Sequence, residues 1–470
     1  MRYLYETLDL IRKGKLSPLE HFQEIEERLK DEEDIHSFIT LDVEKARRNL
    51  ATRNKDGMLY GAVVGVKDNI QVKSWPMTCA SKILENYESV FDADVATALD
   101  EEGALILGKL NMDEFAMGSS NETSYFGPTK NPIDRRLVPG GSSGGSAAAV
   151  GMGFVDVSLG TDTGGSVRQP ASFCSVVGLK PTYGAVSRYG VTSLANTLDT
   201  VGTLGRSVRD AYLLLQAIAK DTKRDMTKIH VDLDDLCGSD DEAMEQLKGK
   251  TIAMLRNING FGMDKEVREA YEASLSLLEK AGCTIIEEDF KYIDYVVGCY
   301  YSLMDAEASS NLSRFDGIRY GGVDYEGTDY EEYMTKVRSE GFGREVKRRI
   351  LAGMYILSSA HKDAYFEHAL KVRRAISEDY DRILGKCDAI LSPTAIGLPF
   401  ALGEKVESPS KMMEGDLLSV PANMAGLPAI SVPSTGKRII NAGMQFTGRK
   451  RGDRNLCNIA LGYEGLVKER

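Results

Sequence analysis

The chain has 470 residues, which is enough for two or three domains, although a large α/β enzyme of this length can form one. Hydrophobic residues make up 42% and charged residues 27%, as in an ordinary globular protein. The net charge of −12 argues against a major RNA- or DNA-binding surface, so any nucleic acid must be held largely by a partner.

The cysteines and the hydrophobic pattern indicate where such a chain works. Seven cysteines occur without a C-x-x-C pair, so neither a zinc site nor a disulfide framework is indicated, and we expect no metal in this chain. Scattered thiols fit a reducing compartment. No apolar run approaches the roughly 18 residues of a membrane span, and the N-terminus carries early acids without a signal-peptide core. We therefore expect a cytoplasmic protein without membrane association.

The N-terminal part predicts short helices. Residues 3–13 have the spacing of an amphipathic helix, and Ser17–Glu20 is a capping box that begins a second one. A strand at 38–41 and a helix at 43–53 follow. No chemistry-bearing motif occurs here, so we expect residues 1–58 to be a helical buttress.

The next segment places a lysine after a buried strand. Residues 60–66 predict the strand, and Lys67 follows it directly. A lysine in this position is usually a solvated loop residue. A helix at 95–102 and a strand at 105–107 come next.

Glycines and serines dominate residues 139–180. Two clusters of Gly-Gly and Ser contain Ser142 and Ser166, which are 24 positions apart. Between them the pattern predicts a buried helical turn at 147–150 and a strand at 155–159. Such glycines let backbone amides approach a bound group closely.

Four interpretations of this stretch differ in their fit. A flexible linker is disfavoured because packed apolar segments follow at once. A phosphate loop lacks the Gly-Lys-Ser/Thr ending, and no Gly-x-Ser-x-Gly has the strand-to-helix setting of a nucleophile elbow. The fourth interpretation is a serine nucleophile at a helix start, with an oxyanion hole at Gly164, Gly165 and neighbouring amides.

The segments Gly-Gly-Ser-Ser-Gly-Gly-Ser (140–146) and Gly-Thr-Asp-Thr-Gly-Gly-Ser (160–166) resemble the amidase signature family over roughly fifty residues. The segments at 111–127, 300–320, 342–350 and 416–433 are similar to one branch of that family, the glutaminase A subunits of tRNA-dependent amidotransferases. Two departures occur: the segment before Lys67 reads Gly-Ala-Val-Val-Gly-Val, and the segment after Pro433 is shortened.

The second half of the chain alternates helices and strands without a clear linker. The pattern predicts the following elements: strands at 252–255, 284–287 and 389–391, and helices at 267–281 and 361–384. We expect an α/β fold, with a large mixed β-sheet flanked by helices on both faces. We expect a single domain of all 470 residues, in which 59–210 form the signature core with the catalytic residues and 211–470 the remainder of the α/β core with the substrate pocket.

Amide hydrolysis by a serine requires a base. None of the five histidines lies between Ser37 and Ile229, where the glycine-rich motifs occur, so a histidine base is the weaker hypothesis. A lysine can serve if burial lowers its pKa. The resemblance implies that Lys67 is the base, that Ser142 relays the proton after a cis peptide bond, and that Ser166 attacks.

The resemblance also implies further site residues. The backbone amides of Thr163, Gly164 and Gly165, with that of Ser166, stabilise the oxyanion. Residues implied to bind substrate are Met117, Gly118, Ser119, Tyr300, Arg349 and Asp416.

Some polar residues in these segments also have purely structural interpretations. Arg349 is alternatively one solvated charge of three in a row, and Asp416 a helix or turn cap. We expect Asp162 and Arg168 to be a structural ion pair. The remaining loop serines, Ser143, Ser146 and Ser172, are expected to be loop or cap hydroxyls.

The expected activity is hydrolysis of glutamine to glutamate, with the ammonia amidating Glu-tRNA(Gln), Asp-tRNA(Asn) or both at a partner. By resemblance the partners are a B subunit, which binds tRNA, ATP and Mg²⁺, and a small C subunit, in a heterotrimer; this chain itself needs no cofactor. The alternatives are a stand-alone amidase of small amides and a non-catalytic scaffold.

Overall fold

A computed structural model of the chain describes residues 1–320, 329–404, 413 and 415–469. It contains a mixed sheet whose strands, in chain order, are β1 (Phe38–Leu41), β2 (Val63–Lys67), β3 (Leu105–Leu110), β4 (Val157–Asp162), β5 (Val177–Lys180), β6 (Thr200–Gly205), β7 (Thr251–Leu255), β8 (Thr284–Glu288), β9 (Ala389–Pro393), β10 (Ala429–Pro433) and β11 (Gly443–Thr447). The spatial order is β1-β3-β2-β4-β6-β5-β10-β11-β9-β7-β8. Strand β2 is parallel to β3 and β4, whereas β4, β6, β5, β10, β11 and β9 pair antiparallel in succession.

Helices connect these strands. In the described residues they are α1 (Leu4–Arg12), α2 (Pro18–Arg28), α3 (Glu32–Ile35), α4 (Val43–Leu50), α5 (Asp94–Glu101), α6 (Gly144–Met152), α7 (Arg168–Phe173), α8 (Val208–Ile218), α9 (Asp240–Glu245), α10 (Lys265–Lys280), α11 (Val296–Leu312), α12 (Tyr330–Gly341), α13 (Arg344–Leu357), α14 (His368–Leu384), α15 (Val420–Met424) and α16 (Asp453–Lys468). Across the described parts of the chain, no helix combines the length and apolarity that crossing a bilayer requires.

Helices cover both faces of the sheet. Successive side chains of β2 point to opposite faces and show which helices lie on each. Val63 packs with residues of α2, α4 and α6 in one apolar cluster. Val64 and Val66 belong to the larger cluster on the other side, with residues of α5, α8 and α16. The expected mixed sheet with helices on both faces is therefore confirmed.

The predictions omit four strands, β5, β6, β10 and β11, and several predicted elements have different bounds. Strand β4 begins two residues later than predicted and extends to Asp162. Lys67 is the last residue of β2 rather than a loop residue. The predicted helix at 361–384 is a short π-helix, Asp363–Glu367, followed by α14.

Candidate active site

The side chain of Lys67 lies in the interior, at the carboxyl end of β2, and is fully buried. Its Nζ is 2.8 Å from Ser142 Oγ, 2.8 Å from Ser143 Oγ and 2.9 Å from Thr161 Oγ1. The interpretation of Lys67 as a solvated loop residue is thus wrong. The amine is held by three hydroxyl groups.

Burial lowers the pKa of Lys67 to about 7, against the opposing influence of Asp113, Asp162 and Asp199. In the described residues no carboxylate lies within ion-pair distance of its Nζ. Lys109 is a useful contrast, because it is equally buried but lies 3.3 Å from Asp68 Oδ1 and donates to the Ile70 carbonyl. Two lysines on neighbouring strands therefore differ in their partners, and only Lys67 contacts serine hydroxyls.

Ser142 and Ser143 lie at the turn before α6. The peptide bond between Gly141 and Ser142 is cis, as the resemblance implies. Ser143 precedes the helix, yet its hydroxyl makes no capping bond; it accepts from Lys67 and donates to the Thr161 carbonyl at 3.2 Å. The expectation that Ser143 is only a loop or cap hydroxyl is therefore wrong, and its adjacency to Ser142 was the available signal.

Thr161 is a second lysine partner that sequence reasoning missed. Its hydroxyl accepts from Lys67 and, at 3.0 Å, from Asn69 Nδ2. Thr161 is in β4, which pairs in parallel with β2 with Val66 opposite Leu159, so the pairing brings the ends of the two strands together. No local motif indicates this contact.

The other two serines of the prediction are structural, as expected: Ser146 Oγ donates to the Leu159 carbonyl, and Ser172 Oγ accepts from the Gly443 amide.

Ser166 lies between β4 and α7 and is partly exposed, unlike the buried Lys67 and Ser142. Its carbonyl accepts from the Ser143 amide at 3.1 Å, which joins the two serine loops directly. The structure thus brings the predicted base, relay and nucleophile segments to one place. Exposure of Ser166 suits a group that must meet substrate.

Of the amides expected to form the oxyanion hole, one is already engaged. The Gly165 amide donates to Asp162 Oδ1 at 2.8 Å, and the Val167 amide to Asp162 Oδ2 at 3.1 Å. Among the described residues, the amides of Thr163, Gly164 and Ser166 have no hydrogen-bond partner, although the Thr163 hydroxyl donates to Asp199. These three amides therefore remain candidates, and Gly165 is a poorer one than expected.

Asp162 and Arg168 form the expected structural pair. Arg168 donates through Nε and a terminal nitrogen to both oxygens of Asp162, at 3.0 and 2.9 Å, and both side chains are fully buried. Burial opposes ionisation of Asp162, but the charge of Arg168 outweighs it and lowers the pKa of that carboxyl. The same arginine bonds the Ser419 carbonyl, Gln445 and Asn423. The ion pair thus fixes the Ser166 loop to the C-terminal third of the chain.

A cavity of about 460 Å³ contains several predicted substrate residues. Gly118, Ser119 and Arg349 line it, together with Tyr301 and the first turns of α13. Met117 is buried beside this wall, and its carbonyl accepts from Thr123 at 3.2 Å.

Arg349 and Asp416 meet at Tyr301. The Arg349 guanidinium lies 5.0 Å from the centre of the Tyr301 ring, and the Tyr301 hydroxyl donates to Asp416 Oδ2 at 2.8 Å. Arg349 is only 6% exposed, which excludes a solvated surface charge. Its Nε donates to Glu345 Oε1 at 2.7 Å, and its Nη1 lies 3.8 Å from Asp305 Oδ1.

The Asp416 carboxylate bonds a tyrosine rather than capping a helix, and burial raises its pKa to about 7. The tyrosine hydroxyl that supports it is that of Tyr301, not of Tyr300. The Tyr300 ring instead packs against Gly164, where a Cβ would approach its hydroxyl to 2.6 Å. Ser419 Oγ donates to the Gly164 carbonyl at 2.6 Å. Arg349 and Asp416 therefore lie near the loop that contains Gly164 and Ser166.

A fold built on this mixed sheet, with a lysine and two serine loops at its centre, has known counterparts. A sequence model of the Amidase family matches residues 20–457, and the chain belongs to this family. It is 45% identical over 472 residues to the A subunit of glutamyl-tRNA(Gln) amidotransferase from Clostridium botulinum, covering 99% of this chain and 97% of that protein. The corresponding protein of Macrococcus caseolyticus is 44% identical over 443 residues, covering 93% of this chain and 91% of that protein.

Solved structures agree with this assignment. The crystal structure of the glutamyl-tRNA(Gln) amidotransferase A subunit from Thermotoga maritima is 40% identical, covers 98% of this chain and 94% of its own, and superposes with a TM-score of 0.80. A crystal structure described as an amidase is 29% identical, with 98% and 99% coverage and a TM-score of 0.82.

Proposed function

We propose that the chain is the glutamine-hydrolysing A subunit of a tRNA-dependent amidotransferase. It converts glutamine to glutamate and releases ammonia for amidation of Glu-tRNA(Gln), Asp-tRNA(Asn) or both. The observation that carries the proposal is the buried Arg349 beside the Tyr301–Asp416 pair, next to the Ser166 loop. Near-full-length similarity to named A subunits supports it.

The proposed chemistry begins with neutral Lys67. Ser166 Oγ attacks the side-chain amide carbon of glutamine, its proton passes to Ser142, and the Ser142 proton passes to Lys67. The amides of Thr163, Gly164 and Ser166 stabilise the oxyanion. As the intermediate collapses, the leaving nitrogen takes the proton from Lys67 through Ser142 and departs as ammonia. Water then hydrolyses the acyl-enzyme by the same route.

The proposed selectivity follows from the two α-groups of a free amino acid. The α-carboxylate binds Arg349, whose planar fork suits a carboxylate. The α-ammonium binds Asp416. A charged pair of this kind distinguishes glutamine from a simple amide, and it argues against a stand-alone amidase of small amides. Support for these roles is positional: Arg349 and Tyr301 line the cavity, Asp416 accepts from the Tyr301 hydroxyl, and Ser419 Oγ contacts the carbonyls of both Asp416 and Gly164.

We propose a heterotrimer in which B and C subunits are the partners of this chain. In this assembly tRNA, ATP and Mg²⁺ bind to the B subunit, whereas this chain holds no cofactor. The net charge of −12 supports a tRNA site outside this chain. A cytoplasmic location is supported by seven cysteines that are all free thiols.

The proposal is tested by trapping. Full-length protein is quenched during reaction with an activated glutamine analogue, and mass spectrometry locates the adduct. We expect the label on Ser166, and Ser166→Ala should lose both the adduct and about 10⁴-fold or more in glutamine hydrolysis. Ser146→Ala is the matched control, because that serine lies in the same glycine-rich stretch and its hydroxyl donates to a strand carbonyl. A label on another residue would contradict the assignment. Equal efficiency on glutamine and on a simple amide would favour the stand-alone amidase.

A further inference from the structure

Two walls of the cavity come from distant parts of the chain. One is the loop 113–123, which contributes Glu114, Gly118 and Ser119. The other is the first turns of α13, which carry Arg349. The distance between these walls determines whether a ligand can touch both.

Glu114 joins the walls. It lies in the loop, is 2% exposed, and both of its carboxylate oxygens accept from the Gly343 amide, at 3.1 and 2.9 Å. Gly343 is the residue that immediately precedes α13. The Ser81 hydroxyl donates to the same carboxylate and lies 3.2 Å from the Gly341 carbonyl. Burial raises the pKa of this carboxyl to about 7, so hydrogen bonds, rather than a full negative charge at the helix N-terminus, define the contact.

The close fit at Gly343 indicates that this contact is built into the fold. Its φ is −70°, which any residue adopts, so the glycine is not required by backbone conformation. A Cβ there would lie 2.2 Å from Glu114 Oε2. The glycine is therefore required for space, and a larger residue would push the carboxylate and the helix apart.

A rigid helix transmits the position of its first turn to Arg349. Arg349 lies six positions after Gly343, which corresponds to about 9 Å along the axis. The adjacent Phe115 ring packs on Phe342, with ring centres 5.7 Å apart, so an apolar contact accompanies the polar one.

We propose that Glu114 is a positioning residue for glutamine selectivity. Its carboxylate fixes the start of α13 to the loop 113–123 and thereby holds Arg349 at the correct distance from Gly118 and Ser119. The identity of the substrate rests on the proposed function. The contact between the Glu114 carboxylate and the Gly343 amide, called the clamp below, does not. Because displacement by about 1 Å costs up to about 100-fold in a preorganised site, a loose clamp should be visible in kinetics.

The test compares Glu114→Ala and Glu114→Gln in the full-length protein, in the assembly in which it is purified from its host. Glu114→Ala should raise KM for glutamine about tenfold, while hydrolysis of a simple amide without α-groups changes less than about twofold. Glu114→Gln should restore most of the lost affinity, because the amide oxygen still accepts from Gly343 and Ser81 can accept as well as donate.

Glu32 provides a matched control. It is another buried carboxylate, which accepts from Ser37 Oγ at 2.6 Å and from the Phe38 amide at 2.8 Å, and it does not line the cavity. Glu32→Ala should leave KM for glutamine unchanged. An unchanged KM in Glu114→Ala, or an equal loss on both substrates, would overturn the proposal. So would an equally large KM increase in Glu114→Gln, because that would indicate direct recognition of substrate by the charge.

Hydrogen exchange separates failure of the clamp from failure of the proposed function. Amides at the start of α13 should exchange at least about tenfold faster in Glu114→Ala than in wild type or Glu32→Ala. That readout needs no substrate. If the wild type does not hydrolyse glutamine yet exchange responds as expected, the proposed function fails and the clamp stands; unchanged exchange overturns the clamp whatever the substrate is.

Discussion

The lysine–serine centre and the cavity beside it are built in different ways. Lys67, Ser142, Ser143 and Thr161 come from two strand ends and one helix start, are buried, and hold one another through neutral hydroxyls. The cavity is lined by loops and by the faces of α11 and α13, and its polar groups are mostly charged. The proposed amide chemistry and the proposed substrate choice therefore depend on separate parts of the molecule, and mutations in each part should have distinct kinetic signatures.

The largest difference should appear between two variants in which a buried lysine, either Lys67 or Lys109, is replaced by methionine. Lys67→Met should lower kcat at least about 10³-fold on glutamine and on a simple amide, because Lys67 is the proposed base and contacts Ser142. Lys109→Met should instead lower the free energy of unfolding by about 3 kcal/mol, since it leaves Asp68 buried without its cation. Steady-state kinetics and denaturant titration measure the two effects. Substantial activity in folded Lys67→Met would show that the base is elsewhere.

The pH dependence of kcat should also be set by the lysine–serine centre rather than by the cavity. Burial lowers the pKa of Lys67 to about 7, so the amine is neutral and able to accept a proton above that pH. Below it the ammonium cannot act as base, and kcat should fall about tenfold per pH unit. A simple amide should give the same kcat profile as glutamine. A kcat that is flat down to about pH 5 would contradict a lysine base.

Replacing Arg349 tests the contribution of the cavity to the choice of substrate. Arg349→Ala should lower kcat/KM for glutamine at least about tenfold, the effect of losing a charge-assisted hydrogen bond, with much less change for a simple amide. Arg348→Ala is the neighbouring comparison: Arg348 also lines the cavity, but it is more exposed, pairs with the same Glu345 and should have the smaller effect. Asp416→Asn should follow Arg349→Ala. Equal losses on both substrates would remove the distinction between chemistry and selectivity.

The smallest effect is expected at Ser143. Ser143→Ala removes one neutral hydrogen bond to Lys67 but leaves those from Ser142 and Thr161. A bond of this type is worth about 1 kcal/mol, so kcat should fall about fivefold on both substrates. A loss as large as that in Lys67→Met would assign Ser143 to the proton relay itself, and a change confined to KM would place it with the cavity.

The sequence by itself determined the part of the site that lies in short motifs. The two serine clusters and a lysine at a strand end are local patterns, and their resemblance to a family was sufficient to assign Lys67, Ser142 and Ser166 to one centre. Alternating helices and strands likewise predicted a mixed α/β sheet, which is observed. Local spacing is sufficient in these cases because each motif is carried by one turn or one strand end.

Only the tertiary structure decided the contacts between distant segments. Thr161 reaches Lys67 through the parallel pairing of β2 and β4, and Tyr301 reaches Asp416 across 115 residues of chain. The Gly165 amide proved to be engaged by Asp162. Packing, not local pattern, selects which hydroxyl faces a charge, because neighbouring residues such as Tyr300 and Tyr301 differ by one position yet point to different sides of the same helix.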